Sequence, residues 1–194
     1  MPEHVRFCAG KRLTLALQSE LLVDSQVWWR IADPDWADPL DPGFAAERGG
    51  RWNPPRSFPT LYLNEDRVSA RLNLRRFIAR WPYEPEDLRD ESGPILVGAR
   101  LPRQQTVCDA HTRLGVAAAG LPERYPFDER GKRVAHFVCQ PIGTLAKYEE
   151  LRGVRARSAQ SRDGAGRELA WFPAAARSLA RRVQTLKFEK WYWG

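Results

Sequence analysis

The chain has 194 residues, 43% of them hydrophobic, which suits one globular domain with a sizeable core and leaves little room for a second. Lys and Arg number 31 against 24 acidic residues, a net charge of +7 that favours anionic partners such as phosphates, nucleic acids or acidic proteins. Cys8, Cys108 and Cys139 are odd in number, far apart and without a CxxC pair, so they suggest neither a zinc site nor a disulfide framework and fit a reducing cytosol.

The opening stretch, MPEHVRFCAGKRLTLALQSELLV, is interrupted by Gln18, Ser19 and Glu20, too polar for a membrane span and without a small-residue cleavage site. It reads as the first element of a soluble protein, with a helix predicted from Leu13 to Val23. SQVWWRIAD follows as a short aromatic strand ending at Asp33-Pro34. Prolines at 34, 39, 42, 54, 55 and 59, with Gly43, Gly49 and Gly50, then predict a long ordered loop. Trp36, Phe44 and Trp52 inside it need burial, which argues for a functional loop rather than disorder.

TLYLN is a compact strand, and Asp66 can cap a helix over residues 67 to 80 with Val68, Leu72, Phe77, Ile78 and Trp81 as its buried stripe, closed by Pro82. GPILVGARLP and QQTVCDA read as strands flanking a turn, and RVAHFVCQPIGTLAKYEEL as a strand or helix leading into a short helix. GVRARSAQSRDGAGRELAWFP reads as strand, loop and strand, and VQTLKFEKWYWG as a last strand. Mixed element types without a regular βαβ period predict an α+β fold, with residues 1–194 forming a single domain.

Familiar chemistry is missing. There is no Gly-rich phosphate loop, no GxGxxG after a strand and no HExxH, and His4, His111 and His136 stand in no metal-like or Ser/His/Asp context. The arginines are spread along the chain, as on a scattered solvated surface rather than a dedicated nucleic-acid face. What remains is Trp29-Arg30, the loop triplet Arg51-Trp52-Asn53, and Ser158. Two arginines beside aromatic groups suit a pyrophosphate, because guanidinium forks bind phosphate bidentately and stay charged, while Asn53 and Ser158 can hydrogen-bond sugar hydroxyls or an amide. Each also has a plain structural reading: core anchors for the tryptophans, an ion pair for Arg30, a turn for Ser158.

VWWRIADPDW, GFAAERGGRWNPPRSFPTLYL and HFVCQPIGTLAKYEELRGVRARSAQS together resemble the RES domain family, most strongly over residues 27 to 172. The resemblance implies an ADP-ribosyltransferase-like fold with a split β-sheet core and flanking helices. It also implies an intracellular toxin that cleaves the nicotinamide–ribose bond of NAD by hydrolysis or phosphorolysis. NAD would be the substrate, inorganic phosphate a candidate co-substrate, and no cofactor or metal is implied. The partner would be an antitoxin with a helix-turn-helix DNA-binding domain, with which an oligomer could form, and the location the cytoplasm. Carried over by residue, Arg30, Arg51, Tyr62 and Ser158 match the family's arginines, strand tyrosine and serine.

The family glutamate does not carry over. SARLNL aligns Ala70 with the family's A-x-x-E pattern but places Asn73 where the glutamate belongs. A carboxylate can hold a ribose hydroxyl and stabilise the oxocarbenium charge that develops on cleavage, whereas an amide can only hydrogen-bond. Loss of such a group costs on the order of 10²–10³ in rate. Asn73 therefore predicts a slow or inactive enzyme unless another carboxylate substitutes, and Glu65 is the nearest in sequence, although it also suits a first-turn helix charge. The alternative is a degenerate RES fold that binds a nucleotide or protein without turnover. A third reading, nucleic-acid binding, rests on the net charge and the eight tryptophans.

Overall fold

The computed structural model describes residues 16–80, 82, 84–161, 165–175 and 179–194. In chain order the strands are β1 (Ser19–Leu21), β2 (Trp28–Ala32), β3 (Leu61–Asn64), β4 (Ile95–Arg100), β5 (Thr106–Ala110), β6 (Gly153–Arg157), β7 (Arg167–Trp171) and β8 (Arg181–Leu186). The helices are α1 (Gly43–Arg48), α2 (Arg67–Ile78), α3 (Arg113–Ala118), α4 (His136–Tyr148) and α5 (Phe188–Tyr192). The strands form one sheet in the order β1-β5-β6-β7-β3-β2-β4-β8, with β5 and β6 parallel and the other neighbours antiparallel.

This sheet is joined unevenly at its middle. β2 pairs with β4 over all five of its residues, and β3 with β7 over all four of its own, but β2 and β3 meet only at Trp29 opposite Asn64. The result is a seam between two better-paired halves, matching the split-sheet expectation. Because side chains alternate along a strand, the residues opposite one another at the seam also sort the faces. Tyr62, Asn64, Glu168 and Ala170 share one face with Trp29, whereas Leu61, Leu63, Leu169 and Trp171 point to the other. The first face carries two apolar clusters, one under α3 and α4, the other under α2 and α5; the second is covered by Leu22 and Leu40.

Several predicted elements are altered by tertiary context. The expected helix from Leu13 to Val23 is not formed over its described part: Ser19–Leu21 pair with β5, where Glu20 reaches His111 and Arg155. Residues 13–15 lie outside the described residues. The long loop contains the six-residue α1. The segment around His136 is one continuous helix that accommodates Pro141 and buries Cys139, Ile142, Gly143 and Ala146, a spacing that lines one helix face. The closing segment divides into β8 and α5, with Phe188, Trp191 and Tyr192 packed into the core.

Asp66 does cap α2, its carboxylate accepting from the Ser69 amide. The buried stripe, however, is Ser69, Ala70, Leu74 and Ile78, rotated from the predicted set; Val68 and Phe77 are exposed, Leu72 is half-buried, and Trp81 lies outside the described residues. Small residues face the sheet because α2 packs closely over β2 and β3. That rotation also sets Asn73 above the seam.

Candidate active site

The glycine-arginine loop is fixed from two sides. Gly49 has φ +73°, a left-handed conformation that favours glycine. At Gly50 an added Cβ would come within 2.3 Å of the Tyr62 hydroxyl. That hydroxyl accepts from the Trp52 amide at 2.9 Å and donates to Asn53 Oδ1 at 2.8 Å, while Asn53 Nδ2 donates to the Ala45 carbonyl at 2.6 Å. From the other side, α4 offers Gln140, whose Nε2 donates to the Gly50 carbonyl at 3.0 Å. Trp52 is buried against Tyr125, and its carbonyl lies so close to Gly143 that a Cβ there would sit 1.8 Å from the oxygen.

Arg51 is thereby aimed inward. Its Nη1 donates to the Val134 carbonyl at 2.8 Å and lies 4.0 Å from Cys139 Sγ. Burial disfavours its charge, but the facing Tyr125, Cys139 and Glu168 outweigh that, and its pKa is raised. Arg76 on α2 donates to Gln160 Oε1 at 3.0 Å, and Arg133 reaches the same oxygen at 3.4 Å and the Ala159 carbonyl at 2.7 Å. Burial, then Arg133, Arg80 and Arg51, lower the Arg76 pKa, and burial followed by Arg51 and Arg76 lowers that of His136. Several positive groups therefore converge on one mouth, and none of Arg51, Arg76 and Arg133 takes part in an ion pair among the described residues.

Beneath them runs a hydrogen-bonded chain across the seam. Asn64 Nδ2 donates to the Trp29 carbonyl at 3.1 Å, reinforcing the single point at which β3 pairs with β2. Asn73 Nδ2 donates to Asn64 Oδ1 and, at 3.1 Å, to Glu168 Oε1, and the Ser158 hydroxyl donates to the same Glu168 oxygen. Ser158 itself is fully buried, its amide held by the Gly166 carbonyl at 2.8 Å and its Oγ accepting from the Gln160 amide at 3.2 Å. β3, α2, the residue just past β6, and β7 thus each deliver one group to a single point.

The six residues singled out in the sequence separate on this geometry. Asn73 and Ser158 meet at Glu168, with Arg51 near enough to interact with that carboxylate. Tyr62 is half-buried, and its hydroxyl is engaged by the loop; burial pushes its pKa up, so it stays protonated. Asn53, expected as a ligand-binding residue, is fully buried, and both ends of its amide bond protein atoms of the loop and Tyr62. Arg30 is not brought into the cluster. It follows Trp29, so it projects from the opposite face, 5.6 Å over the Trp36 ring and beside Asp41 and Asp38. Burial lowers its pKa to about 10, against the opposing effect of those two aspartates.

Glu65 is likewise on the far face, one residue past Asn64, where it pairs with Arg155. That face also gathers Glu20 and His111 at 2.9 Å, with Asp109 3.7 Å from the same imidazole nitrogen. Arg155 bonds Glu20 and the Thr112 hydroxyl bonds Asp109, so the three form an internal polar network. Sequence reasoning missed Glu168. One signal was available: it lies ten residues beyond Ser158 on the returning strand of a hairpin, with Arg157 opposite Arg167 and Ser158 bonded to Gly166.

Residues 27–191 match the RES domain. The chain belongs to the RES domain family. Among solved structures, this RES chain is similar to one in the MbcT–MbcA toxin–antitoxin complex of M. tuberculosis, with a TM-score of 0.68 and 21% identity over 92% of this chain and 91% of that one. That likeness supports the fold assignment. No curated protein matches the chain. The family match extends beyond the resemblance seen in the sequence, taking in β8 and most of α5. Among the described residues, no helix is long and apolar enough to cross a membrane.

Proposed function

We propose that this RES protein is the toxin of a toxin–antitoxin system, acting in the cytoplasm by cleaving the nicotinamide–ribose bond of NAD with water or inorganic phosphate as acceptor. Membership of the family supports the reaction class, and the partnership of the similar MbcT chain with MbcA supports a protein antitoxin, here one with a helix-turn-helix domain. The observation that carries the reading is the meeting of Ser158, Asn73 and Glu168 under a mouth formed by Arg51, Arg76 and Arg133.

In this reading the guanidinium groups hold the pyrophosphate, a dianion they can match through paired N–H donors. Ser158 and Asn73 orient the nicotinamide ribose through its hydroxyls, and the half-buried Tyr62 orients the nicotinamide side. The C–N glycosidic bond breaks heterolytically, and nicotinamide departs neutral with the bonding pair. Water or phosphate then forms the new bond at the anomeric carbon, water giving up its proton to solvent. Positioned groups of this kind raise effective concentration and stabilise the developing charge without reorganising during the reaction.

Purified protein at micromolar concentration should release nicotinamide from NAD, with and without phosphate distinguishing the two acceptors. Arg76→Ala should raise KM about tenfold or more, the loss of one charged hydrogen bond at about 1.5–3 kcal/mol, with kcat little changed. Folded wild-type protein that leaves NAD intact under both conditions would refute the reading.

A further inference from the structure

Resting on the reading above, we infer that the cleft's carboxylate has moved across the seam: Glu168 on β7 serves the nicotinamide ribose in place of the glutamate that the family pattern sets at position 73. Asn73 and Glu168 are direct hydrogen-bond partners at 3.1 Å, so a carboxylate at either position occupies much the same place relative to Ser158. The serine donates to Glu168, which leaves the carboxylate as the acceptor-only, charge-bearing member of the group.

The bonding also explains why position 73 is an amide. Both protons of the Asn73 Nδ2 have acceptors, Asn64 Oδ1 and Glu168 Oε1. Asn64 is held in that orientation because its own Nδ2 is bonded to the Trp29 carbonyl. A carboxylate at 73 would present oxygen to two oxygens and place two negative charges at one point, which drives one of them to protonate. One carboxylate and one amide can therefore share the site, whereas two carboxylates cannot. Glu65 cannot fill the role, since its strand position puts it on the far face with Arg155.

The chemistry needs this group when the C–N bond breaks. Nicotinamide takes the bonding pair, positive charge grows on the ribose, and a carboxylate beside it stabilises that charge and accepts from a ribose hydroxyl until water or phosphate adds. Arg51 is close enough to Glu168 for the guanidinium and the carboxylate to attract one another.

The test compares wild type with Glu168→Gln, Glu65→Gln and the exchange variant Asn73→Glu/Glu168→Asn, measuring nicotinamide release, KM and thermal melting. Glu168→Gln should lose on the order of 10²–10³ in kcat with KM changed only a few-fold, and Glu65→Gln should turn over like wild type. The exchange variant should recover turnover well above Glu168→Gln. Should Glu168→Gln fail to fold, the exchange variant decides: turnover supports the relocated carboxylate, and a folded but inactive protein overturns it. A folded Glu168→Gln within about threefold of wild-type kcat overturns the inference while NAD cleavage stands. Wild type that leaves NAD intact removes the underlying reading and the inference with it.

Discussion

At the scale of single residues, the site depends on which polar groups are already engaged. Asn53 and the Tyr62 hydroxyl, which read in sequence as groups for a ligand, bond each other and the loop backbone. His136 shows the opposite situation, exposed at the mouth and facing Arg51 and Arg76. Partial burial and those two cations lower its pKa below 6.5, so between its folded pKa and 6.5 the unfolded chain binds more protons than the folded one. Its contribution to stability is therefore present above about pH 6.5 and is lost as pH falls. The melting temperature should drop less between pH 7 and pH 5.5 in His136→Gln than in wild type, and equal drops would show that His136 is not the group involved.

At the scale of elements, α4 positions the loop by close approach rather than by bulk. Gly143 carries the Trp52 carbonyl, Gln140 bonds the Gly50 carbonyl, and Cys139 lies against Arg51. Gly143→Val should push the loop off the helix, costing about 1–3 kcal/mol by overpacking, and should raise KM for NAD because Arg51 moves with the loop. Denaturant unfolding and steady-state kinetics together check this: a stable variant with unchanged KM would show that α4 does not set the arginine. On α2, the Asp66 cap was legible in sequence from residue type and position alone. The helix's buried face was not legible, because Ser69, Ala70 and Asn73 are chosen by proximity to the sheet rather than by hydrophobicity.

At the scale of the whole molecule, two features stand out: arginines that cap backbone carbonyls, and a sheet whose narrow central pairing is reinforced by a side chain. Arg157 bonds the carbonyls of His111, Glu123 and Tyr125, and Arg71 those of Trp191 and Gly194, so part of the basic excess ties loops and the closing helix to the core. At the seam, the Asn64 side chain adds a bond to the Trp29 carbonyl at the single point where β2 and β3 pair. Asn64→Leu should remove this added bond from the single β2–β3 pairing, lowering stability by about 0.5–1.5 kcal/mol, and should release Asn73, so that turnover falls as well. Hydrogen exchange should rise along β2 and β3 but not at the β5–β6 pairing; uniform exchange would argue against a local seam.

The sequence by itself determined the family, most of the strands, the Asp66 cap and the anchored glycine-arginine loop, because these follow from local chemistry: turn residues, alternation and capping. Strand alternation even separated Tyr62 and Asn64 from Glu65, and Trp29 from Arg30, although which face held the site could not be read from it. Only the tertiary structure decided that Arg30 and Glu65 lie behind the sheet and that Glu168 meets Asn73, residues 95 positions apart in the chain. Pairing of β3 with β7 places Asn64 opposite Glu168, and α2 then lowers Asn73 onto both. Such a contact is a property of strand register and helix rotation, which are fixed by the packing of the whole core and leave no mark in the residues near position 73.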